Sequence, residues 1–297
     1  MVDASGSIEV ELGPEPATHN PALRLLYQGV SKLQSSEGWR RALAMRRAFH
    51  RYSFHNTALI FLQRPDARLV AGYRKWQALG RQVRRGEKGI LILAPIVKRI
   101  RVEESTEVKR VLAGFRTAHV FDVAQTEGEP LPETPRPVLL VGQGSGIGSA
   151  VSAVTSFAEA RGLRVRYGSV PGEAFGSFTV PARVITIRKG LPPLQALKTL
   201  VHELAHGLMH ANGRFPEAER GRLELEAESC AFLVLHELDL DTSGYSFPYL
   251  AGWADDPREL LTAGERAAKT ADTILDALKV SLDRRQAPAG EQPVATP

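Results

Sequence analysis

Residues 199–210 read TLVHELAHGLMH. Leu200, Val201, Leu204, Ala205 and Leu208 make this stretch apolar on most sides, which predicts a buried helix from about Pro193 to Asn212. Proline in its first turn and Gly213 just past its end fit that span. Helical residues four apart differ by about 40° around the axis, so His202 and His206 point the same way and can grip one ion through two imidazole nitrogens. Glu203 lies about 100° from His202, near enough to serve as general base toward a water at the ion without being a ligand. Burying these three side chains without partners would be costly, which favours a metal site over a structural helix. The chemistry expected of such a site is zinc-assisted peptide-bond hydrolysis.

A catalytic zinc ion needs three protein ligands and a fourth position open to water, so one ligand must come from elsewhere. In the metzincin pattern, positions 209 and 212 would be Gly and His, and here they are Met209 and Asn212. His210, one turn beyond His206, reads as a helix-end residue. That leaves a carboxylate on the next helix, predicted over about Glu217 to Leu238. The run LELEAESCAF offers Glu224, Glu226 and Glu228. Glu224 and Glu228 share a face, whereas Glu226 is rotated by about 200° from Glu224 and should point away. One of the first pair is then the ligand, and the other can accept a hydrogen bond from a ligand histidine's outer N–H.

HELAH followed by ELEAE resembles the gluzincin-type arrangement of the ImmA/IrrE metallopeptidases. That resemblance makes Glu224 the ligand and gives Glu228 the supporting place, where those families more often carry Asp or Asn. Oxyanion stabilisation is assigned as a possible role to Tyr245 or Tyr249 in GYSFPYLAGW, with packing as the alternative. By analogy, a substrate strand would lie along an edge supplied by FGSFTV or RVITIRK.

The rest of the chain differs in charge. Its 297 residues carry a net +5, but residues 21–125 hold 21 Lys and Arg against 7 Asp and Glu, while residues 1–20 net −4 and residues 126–297 net −5. A basic block of that size raises the expectation of a polyanionic partner. Its cations crowd into GYRKWQALGRQVRRGEKG, where Arg74, Lys75, Arg81, Arg84, Arg85 and Lys88 surround Tyr73 and Trp76. Cations attract phosphates and an exposed aromatic stacks on an unpaired base, so this mixture suits single-stranded DNA. If Trp76 and Tyr73 are instead core residues, the charges only solvate a surface. Arg51, Tyr52 and Asn56 could join the same face but read better as structural.

The periodicity predicts two or three helices over Asn20–Leu62, strands over Ile90–Ile96 and Arg110–Phe121, and a tight turn at Gly86 and Gly89. Further on it predicts a helix over Ser149–Arg161, strands over Leu163–Tyr167, Phe175–Val180 and Val184–Ile187, and helical structure up to Leu282. The expected organisation is α+β in two domains: a disordered segment 1–19, a small basic nucleic-acid-binding domain 20–134, a linker 135–148 marked by Pro135 and Pro137, a zincin-like metallopeptidase domain 149–283 and a disordered tail 284–297. The zincin-like domain should combine a short sheet with the His-bearing helix and the following Glu-bearing helix. A single cysteine, Cys230, excludes an internal disulfide and a multi-cysteine metal cluster. The acidic opening has no apolar run, so neither a signal peptide nor a membrane helix is read, no membrane partner is expected, and the expected location is cytoplasmic.

YSFHNTALIFLQRPDA, VAGYRKWQALGRQVRRGEKGILILAP and VFDVAQTEGEPLPE together resemble the N-terminal single-stranded-DNA-binding domain of ArdC-type antirestriction proteins. With the HELAH half behind it, the resemblance covers about residues 20–255. It implies an antirestriction protein that coats entering single-stranded DNA and carries a zincin domain acting on an unknown protein substrate. The alternatives are a non-catalytic DNA-protecting protein whose zincin half is structural, and a peptidase-type transcription regulator.

Overall fold

The computed structural model describes residues 20–49, 52–101, 108–131, 145–211, 219–242, 245, 247, 250 and 257–286. Its internal contacts divide into two units, Met1–Thr134 with Trp253–Leu261 and Pro135–Gly252 with Thr262–Pro297. Both mix helix and sheet, as the α+β reading expects. The expectations for residues 1–19, for Arg51 and for most of the linker and tail fall outside the described residues.

The first unit begins with α1 (Pro21–Gly29), whose first N–H groups are accepted by the Asn20 side chain. After a 3-10 turn come α2 (Ser36–Met45) and α3 (Phe54–Gln63), each capped by the serine before it. Next are β1 (Val70–Ala71), α4 (Tyr73–Ala78), β2 (Arg81–Val83), the long hairpin of β3 (Ile90–Arg101) and β4 (Val108–Asp122), and β5 (Thr126–Gly128). One sheet has the order β1-β4-β3, and β2 pairs with β5. The hairpin is longer than its apolar run predicts, because the ladder continues through the basic residues beyond a register shift between Ile96 and Val97. Backbone pairing does not need apolar side chains.

Helix α3 is buried from Phe54 through Phe61, so it is a core element and not a one-faced surface helix. Two of its polar residues are spent on the sheet. Asn56 exchanges two hydrogen bonds with the backbone of Leu93 and Gln63 two with that of Leu91, all at 2.8–2.9 Å. Because β3 is the outer strand of its sheet, these amides occupy donors and acceptors that would otherwise lie open at an edge. The apolar centre of this unit gathers Phe49, Ile60, Val70, Ile90, Ile92 and Val120.

The second unit contains α5 (Ser145–Glu159), β6 (Arg164–Gly168), β7 (Gly176–Thr179), β8 (Val184–Arg188), α6 (Pro193–Met209), α7 (Arg220–Glu237) and α8 (Pro257–Gln286), whose first turn belongs to the first unit. Helix α5 starts four residues earlier than the sequence predicts, and α8 runs past residue 284, where the tail was expected to begin. The three strands take the order β6-β8-β7, with β6 parallel and β7 antiparallel to β8. Strand β8 is buried from Val184 to Ile187, as a central strand covered on both faces should be. RVITIRK is therefore the middle of the sheet and offers no edge, which leaves FGSFTV on β7. No helix among the described residues is long and apolar enough to cross a membrane.

Candidate metal centre and basic surface

Helix α6 carries His202, Glu203 and His206, and α7, which packs beside it, carries Glu224, Glu226 and Glu228. Leu200, Val201, Leu204 and Ala205 are fully buried and fix the rotation of α6, so its polar residues meet α7 and β7. The Nε2 atoms of His202 and His206 lie 3.2 Å apart, and Glu224 Oε2 is 3.4 Å from the first and 3.7 Å from the second. Ligands about 2.0–2.2 Å from a tetrahedral ion are separated by roughly 3.3–3.6 Å, so the triangle has the size that a divalent metal ion requires. Among the described residues these are the three whose donor atoms come together in this way.

The three glutamates of α7 have different surroundings. Glu228 accepts from His202 Nδ1 at 3.1 Å and pairs with Lys198 at 2.7 Å. Burial works against its ionisation, but His202 and Lys198 outweigh it and hold the carboxyl below its usual range. Bonds from His202 and His206 hold Glu224 well below the carboxylate range. Burial pushes the His202 imidazole down, yet Glu224 and Glu228 prevail and raise it to about 9. Glu226 does point away from the triangle, but it is no bystander on a solvated face. It is fully buried and lies 2.7 Å from His210 Nε2, and His210 Nδ1 is 2.9 Å from His206 Nδ1. The reading of His210 as a simple helix-end residue is thus corrected. The helical phase of α7 hid this network, since only packing against α6 brings residue 210 to residue 226.

Glu203 is 8% exposed, and burial raises its carboxyl above the usual range against the pull of His202 and His206. The backbone N–H of Phe178 on β7 donates to it. Phe175 O accepts from Arg188 N at 2.8 Å, so alternation turns the N–H and C=O of Gly176 and Phe178 toward the side of β7 that no strand among the described residues pairs with. A Cβ on Gly176 would come within 2.5 Å of Thr199 Cγ2 and 2.8 Å of Glu203 Oε1, so the strand approaches the glutamate this closely only because residue 176 has no side chain. A cavity of about 800 Å³ opens here, with Gly176, Phe178, His202, Glu203, His206 and Glu224 in its wall.

Tyr245 does not line that cavity. It is 7% exposed, packs edge-on against Phe232 at 5.4 Å and lies under Lys198, whose Nζ is 3.7 Å from the ring centre. Burial pushes its phenol far up, and here its ring packs against Phe232 and Lys198 away from the cavity wall. Tyr249 lies outside the described residues.

The basic segment separates into two groups. Trp76 is fully buried, and its Nε1 donates to Phe121 O at 2.9 Å, so it cannot stack on a base. Arg81 spreads its guanidinium over Thr126, Gly128 and Glu129, which ties β2 to β5. Arg84 is held by Glu87 and by Ala124 O. Tyr52 and Asn56 are likewise structural, bonded to Val70 O and to the Leu93 backbone. Arg74, Lys75, Arg85 and Lys88 are exposed, and beside them Tyr73 is 43% exposed.

Comparison with known proteins bears on both units. Residues 24–129 match the N-terminal domain of the anti-restriction factor ArdC, and residues 158–237 match the IrrE N-terminal-like domain. The chain thus carries an ArdC N-terminal-like region followed by an IrrE-like region. Its fold resembles that of the antirestriction protein ArdC from plasmid R388, which it matches in a metal-free form with a TM-score of 0.59 at 20% identity, covering 88% of this chain and 98% of that one. The Mn(II)-bound form of the same protein gives 0.57 at 22% identity, covering 87% and 98%. In sequence, the chain is 22% identical to the uncharacterized protein pXO2-81 of Bacillus anthracis, over 80% of this chain and 47% of that protein. It spans about half the length of that relative. It is 26% identical to the uncharacterized protein y4eC of Sinorhizobium fredii, over 67% of this chain and 68% of that one.

Proposed function

We propose that this chain is an antirestriction protein of the ArdC type, in which residues 20–134 bind single-stranded DNA and residues 149–283 form a zinc-dependent peptidase acting on a protein partner. The observation that carries the reading is the triangle of His202 Nε2, His206 Nε2 and Glu224 Oε2 with the buried, proton-avid Glu203 beside it. Two imidazoles and one carboxylate in near-tetrahedral spacing suit zinc. When bound there, the ion supplies Lewis-acid polarisation of a carbonyl and activation of water. Glu203, its carboxyl raised by burial, takes the proton from the attacking water and returns it to the leaving amine. The outer edge of β7 aligns an extended segment of the substrate through the N–H and C=O of Gly176 and the C=O of Phe178, whose N–H is already on Glu203.

On the DNA side, the fitting group is Arg74, Lys75, Arg85 and Lys88 with Tyr73, because these side chains are exposed and not tied to the unit by the bonds described above, whereas Trp76 is buried, Arg81 is bonded to Thr126, Gly128 and Glu129, and the exposed Arg84 is held by Glu87 and Ala124 O. The four cations neutralise phosphates without reading sequence, and Tyr73 gives a base a face to stack on. The deciding experiment uses Glu203→Ala in the full chain. Loss of peptide hydrolysis with retained metal and DNA binding supports the peptidase. Antirestriction that survives the substitution intact assigns that activity to DNA protection alone.

A further inference from the structure

An imidazole donates its Nε2 lone pair to a metal ion only while its own proton sits on Nδ1, and some outer partner must hold that proton there. For His202 the partner is Glu228, directly. We propose that His210 and Glu226 do the same for His206 as a two-residue positioning relay, an inference that rests on the metal site described above.

Two nitrogens of neighbouring rings, His206 Nδ1 and His210 Nδ1, lie 2.9 Å apart and need one proton between them. The far side of His210 decides which ring supplies it. His210 Nε2 is 2.7 Å from Glu226 Oε2, and Glu226 Oε1 accepts from Arg222 at 3.1 Å and from Arg266 at 3.2 Å. Glu219 pairs with the other terminal nitrogen of Arg222 and steadies that guanidinium. A fully buried carboxylate with two guanidinium groups on it stays ionised and can only accept, so the His210 Nε2 atom carries hydrogen. With its hydrogen on Nε2 toward Glu226, His210 presents Nδ1 to the neighbouring ring as the acceptor of the Nδ1–H of His206. The lone pair of His206 is left on Nε2, the atom that faces His202 and Glu224.

Both ligand histidines are thereby oriented from α7, two and four residues beyond Glu224. The rows are not equivalent. Glu228 reaches its histidine directly because it shares a face with Glu224, whereas Glu226 faces the end of α6 and needs a second imidazole to span the gap. A role confined to joining α6 and α7 would need neither the proton order nor a polar residue at position 210, and a leucine of similar bulk would serve.

The test is Co(II) titration of the full chain, followed by visible absorption, with thermal melting of each metal-free variant. His206→Ala and Glu224→Ala should abolish Co(II) binding; if they leave it intact, the metal site itself is misassigned, whatever position 210 does. Given that loss, His210→Leu should weaken Co(II) binding by about 10–100-fold and shift the absorption bands, the range typical of lost outer partners. His210→Gln, whose amide can accept from His206 and donate to Glu226, should stay within about threefold of the parent, and Glu226→Gln should fall about tenfold. A His210→Leu protein that binds Co(II) within threefold of the parent, with an unchanged spectrum and only a lower melting temperature, overturns the relay. If His210→Leu does not fold, the Glu226→Gln and His210→Gln pair decides: parent-like binding in both overturns it, and weakened binding in Glu226→Gln alone supports it.

Discussion

Around α4 and β2 the first unit turns Arg74, Lys75, Arg85 and Lys88 to solvent, whereas between α6 and α7 the second unit turns His202, His206, His210 and three glutamates inward, with partners at 2.7–3.7 Å. The two regions use charge differently. Exposed cations act through their number, lose strength with salt and replace one another. Buried ionisable groups act through position, and each depends on its neighbour to justify being out of water.

The contrast can be tested hardest at Glu203. If the buried cluster works by position, Glu203→Ala should lower peptide hydrolysis by about 10²–10⁴-fold, the usual worth of a general base, and leave DNA affinity within twofold of the parent. An unchanged hydrolysis rate would remove Glu203 from the chemistry.

For the exposed group, replacing Arg74, Lys75, Arg85 and Lys88 together by alanine should weaken binding to poly-dT by about a hundredfold at physiological salt and flatten the salt dependence by roughly three units of slope. Single replacements should each cost only a few-fold. A salt slope that the fourfold variant leaves unaltered would place the DNA elsewhere.

The pH dependence separates the regions again. Because Glu224 and Glu228 hold His202 at about 9, above its ordinary 6.5, a metal ion must displace a proton, and metal affinity should rise about tenfold per pH unit between roughly 6.5 and 9. Stability of the metal-free protein runs the other way. The folded state binds the His202 proton more tightly than the unfolded chain does, so that stabilisation is full below 6.5 and is lost as pH rises through about 9. The loss is on the order of 1–3 kcal/mol and reads as a falling melting temperature across that window. The poly-dT affinity of the first unit should be nearly flat over the same range.

The smallest effect expected on hydrolysis is at Gly176. Gly176→Ala adds one methyl against the buried Thr199 and Glu203, and it should reduce hydrolysis by about tenfold and also lower the melting temperature, since the close contacts force a shift and a misplacement of about 1 Å near the chemistry is enough for such losses. Full activity in this variant would mean that β7 does not position Glu203.

How legible each region was in the sequence follows from the range of the interactions involved. The pairing of His202 with His206, and of Glu224 with Glu228, depends on helical phase within a few residues, so the spacing alone carries it. Trp76 misled because an aromatic among cations looks the same in sequence whether it faces a base or the Phe121 carbonyl. Arg81 and Arg84 were indistinguishable from Lys75 and Arg85 until β5 and Ala124 were in place to accept from them. The β3–β4 ladder ran past its apolar stretch because pairing is a property of the backbone.

By itself, then, the sequence determined the α+β class, the basic and acidic halves, the His-Glu-x-x-His helix and the face of α7 that meets it, because these rest on local periodicity and composition. Only the tertiary structure decided that Glu226 reaches His210, that β7 and not β8 is the sheet edge beside Glu203, and which cations stay exposed. Those outcomes join residues 16 to 48 positions apart, and burial fixes them, not any preference of the residues themselves.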